Sequence, residues 1–163
     1  MAFKIQPSQI AGSAGMVPSV MNLVPEATQD FEKGTPIRIV TGEAEEHPLA
    51  ATVVDLYGFS LQGTIDPASN LPLATLPTIS ISKADRNTAF VSKAWETGAV
   101  QEDLSAVLIG DQYGLIKDGD DFYVDLDDTT NVLVQITKIQ TGPGADGLNV
   151  LFWKVLESAL QEP

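Results

Sequence analysis

The chain has 163 residues, 44% hydrophobic and 7% aromatic, with 22 acidic against 9 basic residues and a formal net charge of -13. That length and apolar content suit one ordinary packed domain and exclude wholesale disorder. The acidic balance opposes nucleic acid and anionic membrane surfaces, which are recognised through Lys and Arg, and a composition without cysteine removes disulfides, thiolate nucleophiles and Cys-ligated metals.

Residues 1–25 combine the apolar positions Phe3, Ile5, Ile10, Met16, Val20 and Leu23 with Pro7, Pro18, Pro25, Gly12 and Gly15. Neither a period of 2 nor of 3.6 persists, so the segment reads as an extended N-terminal arm. It is too apolar for a free tail, and two docking places stay open, the chain's own body or a neighbouring subunit. Polar residues interrupt it too often for a signal peptide, and no apolar run reaches bilayer-spanning length, which points to synthesis in the cytoplasm.

Residues 26–163 are expected to form one mainly β body, a small antiparallel β-barrel or β-sandwich with at most one or two short helices. Thr35 to Val40 alternates in and out, is entered through a turn at Lys33-Gly34 and stops at Thr41-Gly42. Glu43 to Pro48 reads as an acidic loop, and 51–61 as a strand pair bent near Gly58. Pro67, Pro72 and Pro77 make 64–80 a long irregular crossover. Strand patterning resumes at Ile79 to Ile81 and from Thr88 to Trp95, with Thr97-Gly98 as the stop. Val100, Leu104, Val107 and Leu108 are spaced for one short amphipathic helix. Four β-type runs follow, Gln112 to Ile116, Phe122 to Leu126, Val132 to Gln140 and Asn149 to Leu156, parted by turn clusters rich in Gly, Asp and Asn. Such spacing reads as a meander.

Catalytic and ligand motifs fail one by one, and the chain is expected not to be an enzyme and to need no cofactor. Gly142 to Gly147 matches the G-x-G-x-x-G spacing, but a strand pattern, not a helix, follows it, so it reads as a hairpin loop. Asp118, Asp120 and Asp121, with Asp125, Asp127 and Asp128 in the next turn, could supply hard oxygen ligands for calcium, although the spacing does not fit an EF-hand. They are weak candidates, and solvated turn acids that discourage edge-to-edge pairing are the expected reading. His47 is the single histidine and reads as a loop residue without a role. Trp153, inside an apolar run, reads as core. Lys83, Arg86 and Lys93 cluster too loosely to make a nucleic-acid strip.

The stretch Phe31 to Gly42, FEKGTPIRIVTG, followed by Leu56 to Leu61, LYGFSL, resembles the opening of small head-decoration (cement) proteins of tailed bacteriophages. Gly110 to Ile116 and the Asp-rich turn before Val132 to Ile136 are similar in style. The resemblance is one of pattern over residues 31–62 and 110–156, with no counterpart for the crossover. It implies a β body on the outer face of a virion capsid, a major capsid protein as partner, a homo-oligomer with a trimer favoured, and no catalytic residues. The arm anchors would then be Phe3, Ile5, Ile10, Met16, Val20 and Leu23. The alternative from a different class is a ligand-binding β-barrel, calcium-dependent through the acids at 118–128.

Overall fold

The computed structural model describes residues 6–8, 19–26, 31–50, 55–61, 78–142 and 149–161. It is mainly β, as expected, and its strands form two sheets arranged as a sandwich and not closed into a barrel. In chain order the strands are β1 (Gln6–Ser8), β2 (Val20–Leu23), β3 (Pro36–Val40), β4 (Glu43–Glu46), β5 (Gly58–Ser60), β6 (Ile79–Lys83) and β7 (Ala89–Ser92). They continue with β8 (Ala94–Glu96), β9 (Ala99–Gln101), β10 (Gln112–Asp118), β11 (Asp121–Asp125), β12 (Val134–Gln140) and β13 (Val150–Val155), before one 3₁₀ turn at Glu157–Ala159. The smaller sheet has the order β2-β6-β5-β3-β4 and the larger β1-β7-β13-β12-β10-β11-β8-β9.

Two Thr-Gly dipeptides set the tight hairpins. Thr41 and Gly42 (φ 52° and 90°) join β3 to β4, and Thr97 and Gly98 (φ 49° and 82°) join β8 to β9. Left-handed conformations at both central positions are what a type I′ turn requires, and its twist matches the paired strands. The first turn overturns the expected loop at 43–48, because the chain folds straight back. Ala44 lies opposite Ile39 and is fully buried, and Glu45 lies opposite Arg38. Arg38 Nη2 donates to Glu45 Oε2 at 3.0 Å.

Gly58 lets β5 approach β6. A Cβ there would collide with the Ser82 carbonyl oxygen and stand 3.1 Å from Lys83 Cα. The bend expected at this glycine is therefore a close backbone approach.

The expected helix over 100–108 does not form. Leu104 and Val107 are buried, but side chains take the Ser105 and Leu108 amides, which such a helix would bond to its own backbone, and the first-turn amides as well. Gln101 Oε1 accepts from the N–H of Glu102 and Asp103, Asp103 Oδ1 from Ser105 N–H, and Asp111 Oδ2 from Leu108 N–H. Asp and similar side chains compete with helical hydrogen bonds in this way. The meander is also corrected. β11 pairs β10, but β12 pairs the other side of β10, so the chain between Leu126 and Leu133 crosses from one flank of β10 to the other.

The larger core lies between the sheets. Phe59 of β5 meets Phe90 of β7 and Trp153 of β13, with ring centroids 4.5 and 5.4 Å away, and Phe90 lies 5.2 Å from Trp153. All three are at most 1% exposed, and the Trp153 indole N–H donates to Ser92 Oγ at 2.9 Å, so its polar edge is satisfied. Trp153 is core, as its setting predicts. A second cluster, Phe31, Ile37, Ala44, Tyr57, Ile79 and Ile81, fills the smaller sheet's other side. Besides these rings and the Lys117–Glu46 ion pair at 2.7 Å, the C-terminal segment helps tie the sheets together through two contacts. Leu56 exchanges backbone bonds with the C-terminal segment, and Gln161 offers Oε1 to Ile39 N–H at 2.7 Å and Nε2 to Ile39 O at 2.8 Å. The amide side chain thus continues the ladder on the β5 side of β3 after β5 has ended.

Candidate interaction surface

An association surface on a β protein is most simply an outer strand, because its outward N–H and C=O groups await partners. The outer strands here differ in chemistry. β4 carries Glu43, Glu45 and Glu46. β1 contains Pro7, which has no N–H to give. β9 reads AVQ, also without charge or proline, but is three residues long and its Val100 is half-buried. β2 reads VMNL, with no charge and no proline and with its apolar Val20 and Met21 exposed.

β2 pairs β6 from Val20↔Ser82 to Leu23↔Ile79, and Lys83 N–H donates to Ser19 O at 2.9 Å. Hydrogen-bonded positions alternate along an antiparallel strand. Ser19, Met21 and Leu23 therefore turn their backbone groups to β6, while Val20 and Asn22 turn theirs away, where no described strand lies. Beyond β2 that same flank is used. Val24 O accepts from Ala44 N–H and Glu26 N–H donates to Ala44 O, so the chain after β2 closes onto β4. Val20 (52%), Met21 (40%) and Val24 (49%) are exposed aliphatic side chains on this short run.

Of the six expected arm anchors, Phe3, Ile5, Ile10 and Met16 fall outside the described residues. The other two separate. Val20 is exposed, whereas Leu23 is half-buried and packs on the Phe31–Ile37 cluster. Met21 and Val24 join Val20 on the surface. Pattern alone could not find them, since Val20 and Met21 are adjacent and both exposed, which a period of 2 does not anticipate. Both described stretches of the first 25 residues pair with strands of the chain's own sheets.

The acidic turns part into two groups at opposite ends of the β10–β11 hairpin. Asp118 and Asp121 face each other across a two-residue turn led by Gly119 (φ 59°), with Asp120 beside it. At the other end Asp125 Oδ1 accepts from Asp127 N–H, Asp127 Oδ2 from Thr97 N–H at 2.6 Å, and Asp128 Oδ1 from Thr130 and Asn131 N–H. These carboxylates are engaged in organising turns. Burial first, then the neighbouring Asp127 and Asp128 charges, raises the Asp125 pKa above its ordinary 3.8, against the Asp127 N–H, which lowers it. Tyr113 is raised likewise, by burial and then by Asp111 and Glu96. Among the described residues no group of three His, Asp or Glu side chains could hold a metal ion.

His47 is a loop residue, as expected, but a buried one with a structural contact. It follows β4, is 1% exposed, and its Nδ1 accepts from Leu49 N–H at 3.1 Å, which puts the proton of the neutral ring on Nε2. Nε2 faces Asp55 Oδ1 at 3.8 Å. This arrangement pins the residue after β4. Strands β12 and β13 pair from Gln140↔Val150 onward, so the glycine-rich run connects two antiparallel strands, and residues 143–148 lie outside the described set. Lys83, Arg86 and Lys93 do not form one strip: Lys93 pairs with Glu102 at 2.9 Å and Arg86 with Glu157 at 3.0 Å.

No protein-family model, curated protein or solved structure matches the chain. No helix among the described residues is long and apolar enough to cross a membrane.

Proposed function

We propose that this chain is a non-catalytic structural protein of a virion, bound to the outside of a phage capsid through its major capsid protein and stabilising the shell. The observation that carries the reading is β2, an outer strand with exposed Val20 and Met21 and neighbouring Val24; of the other outer strands β4 bears charge, β1 holds a proline, and uncharged β9 is three residues long with its Val100 half-buried. An uncharged outer strand pairs readily with another chain, its outward N–H and C=O groups giving affinity and its side chains specificity. The resemblance of residues 31–62 and 110–156 to head-decoration proteins names the kind of assembly.

Co-sedimentation with capsids built from the major capsid protein of the same genome tests the proposal. The wild-type chain pellets with the shell, and Val20→Glu/Met21→Glu, a charged β2 on an unchanged core, stays in the supernatant. A wild-type chain that never pellets removes the capsid reading, and a double variant that pellets equally removes β2 as its contact.

A further inference from the structure

A second apolar feature lies away from β2. The turn after Val107 presents Leu108 (64% exposed) and Ile109 (69% exposed), the two most exposed large hydrophobic side chains described. Their backbone is held from several sides. Val107 is buried beneath them, Asp111 Oδ2 accepts from Leu108 N–H, Gly110 N–H donates to Ile136 O, and Gln135 Nε2 donates to Gly110 O. A tip so fixed loses little freedom on binding, which is the condition for an efficient apolar anchor.

Gln135 also lines the cleft beside the tip. Its floor is Val155 and half-buried Leu156, and its rim carries Arg86, Lys154 and Glu157, the last paired with Arg86 at 3.0 Å. With Glu157 set against Arg86, the rim keeps one net positive charge on a chain of net charge -13. Next to the tip stands an acid, Asp111, whose Oδ2 also accepts from the Tyr113 hydroxyl. One face thus holds an aliphatic projection with an acid beside it and an apolar-floored recess whose rim is net positive through Lys154, one side chain apart. Such a face is complementary to itself, as a two-fold interface requires.

We propose that a second copy of this chain occupies the cleft. Leu108 and Ile109 of each copy rest on Leu156 of the other, and Asp111 comes to the Arg86 and Lys154 rim, where the exposed Arg86–Glu157 pair exchanges partners. The occupant is argued from charge and shape: an apolar recess whose rim is net positive, beside an acid-flanked aliphatic tip, fits another molecule of the same kind. This contact leaves β2 free and is independent of the capsid reading.

Sedimentation equilibrium of the purified full chain at tens of micromolar tests it. The expected mass is twice the 17.4 kDa of one chain. Leu108→Asp/Ile109→Asp and Arg86→Glu/Lys154→Glu each sediment as single chains that keep the β fold by circular dichroism, because all four side chains lie outside the core, and an equimolar mixture of the two variants regains dimer, each pair keeping one intact tip and one intact recess. Any other wild-type mass, including the trimer that the sequence resemblance implies, overturns the proposal. So does a dimer that survives both variants, or a mixture that stays at single-chain mass.

Discussion

β2 and β4 are the two outer strands of one five-stranded sheet, and they meet solvent with opposite chemistry. β4 places Ala44 in the core and surrounds it with Glu43, Glu45 and Glu46. β2 places half-buried Leu23 against the core and leaves Val20 and Met21 outside. The outer flank of β4 is already taken at Ala44 by Val24 and Glu26 and its carboxylates discourage a further strand, while an uncharged aliphatic edge gains by being covered. The same sheet is thus closed to association on one side and open on the other. That asymmetry is the physical basis for treating β2 as a contact.

The largest effect that sharpens the comparison comes from placing one charge on each strand. Ala44→Asp buries a carboxylate among Phe31, Ile37, Tyr57, Ile79 and Ile81 and is expected to cost about 4 kcal/mol or more in chemical denaturation, or to prevent folding. Met21→Asp, on the exposed strand, is expected to change stability by less than about 0.5 kcal/mol. Comparable losses from the two would mean that β2 is as much a part of the core as β4.

A smaller effect concerns how β4 is held. Gln161 binds both backbone groups of Ile39 in β3, the strand that carries β4. Gln161→Ala should cost about 1–2 kcal/mol, the worth of two modest hydrogen bonds, and should speed amide exchange in β3 and β4 before β2.

The smallest effect is electrostatic and lies away from both strands. Asp125 holds its proton to higher pH in the folded chain than its ordinary 3.8. In the window above that value the folded state binds more protons than the unfolded one, so this group's contribution lowers stability as pH rises. Asp125→Asn keeps the oxygen that accepts from Asp127 N–H and removes the charge. It should match the wild type below the ordinary carboxylate range and exceed it above, as melting temperature against pH will show.

The β class, the turn dipeptides and the buried role of Trp153 were legible because each rests on local chemistry. Thr41-Gly42 and Thr97-Gly98 announce a reversal wherever they stand. Strand β4, directly after the first of these turns, is not legible, because Glu43 to Glu46 offers one small apolar residue, and an edge strand needs no more than that. The helix expected at 100–108 fails for a related reason. The spacing of Leu104 and Val107 marks which residues are buried, but Gln101, Asp103 and Asp111 decide which backbone bonds form. Strand order lies beyond local reading, since nothing near residues 127–133 says that β12 passes to the far side of β10. The candidate surface was half legible: the apolar character of 20–24 was visible, while the inward turn of Leu23 depends on Phe31 and Ile37, which only the fold brings near.

Hydrogen exchange on β2, with and without bound capsids, tests the central claim most directly. The Val20 and Asn22 amides point away from β6, so they are expected to exchange quickly in the free protein and to slow by at least tenfold in the complex, while the Met21 and Leu23 amides, already bonded to β6, change little. Capsid binding that leaves the Val20 and Asn22 amides as fast as before would contradict it.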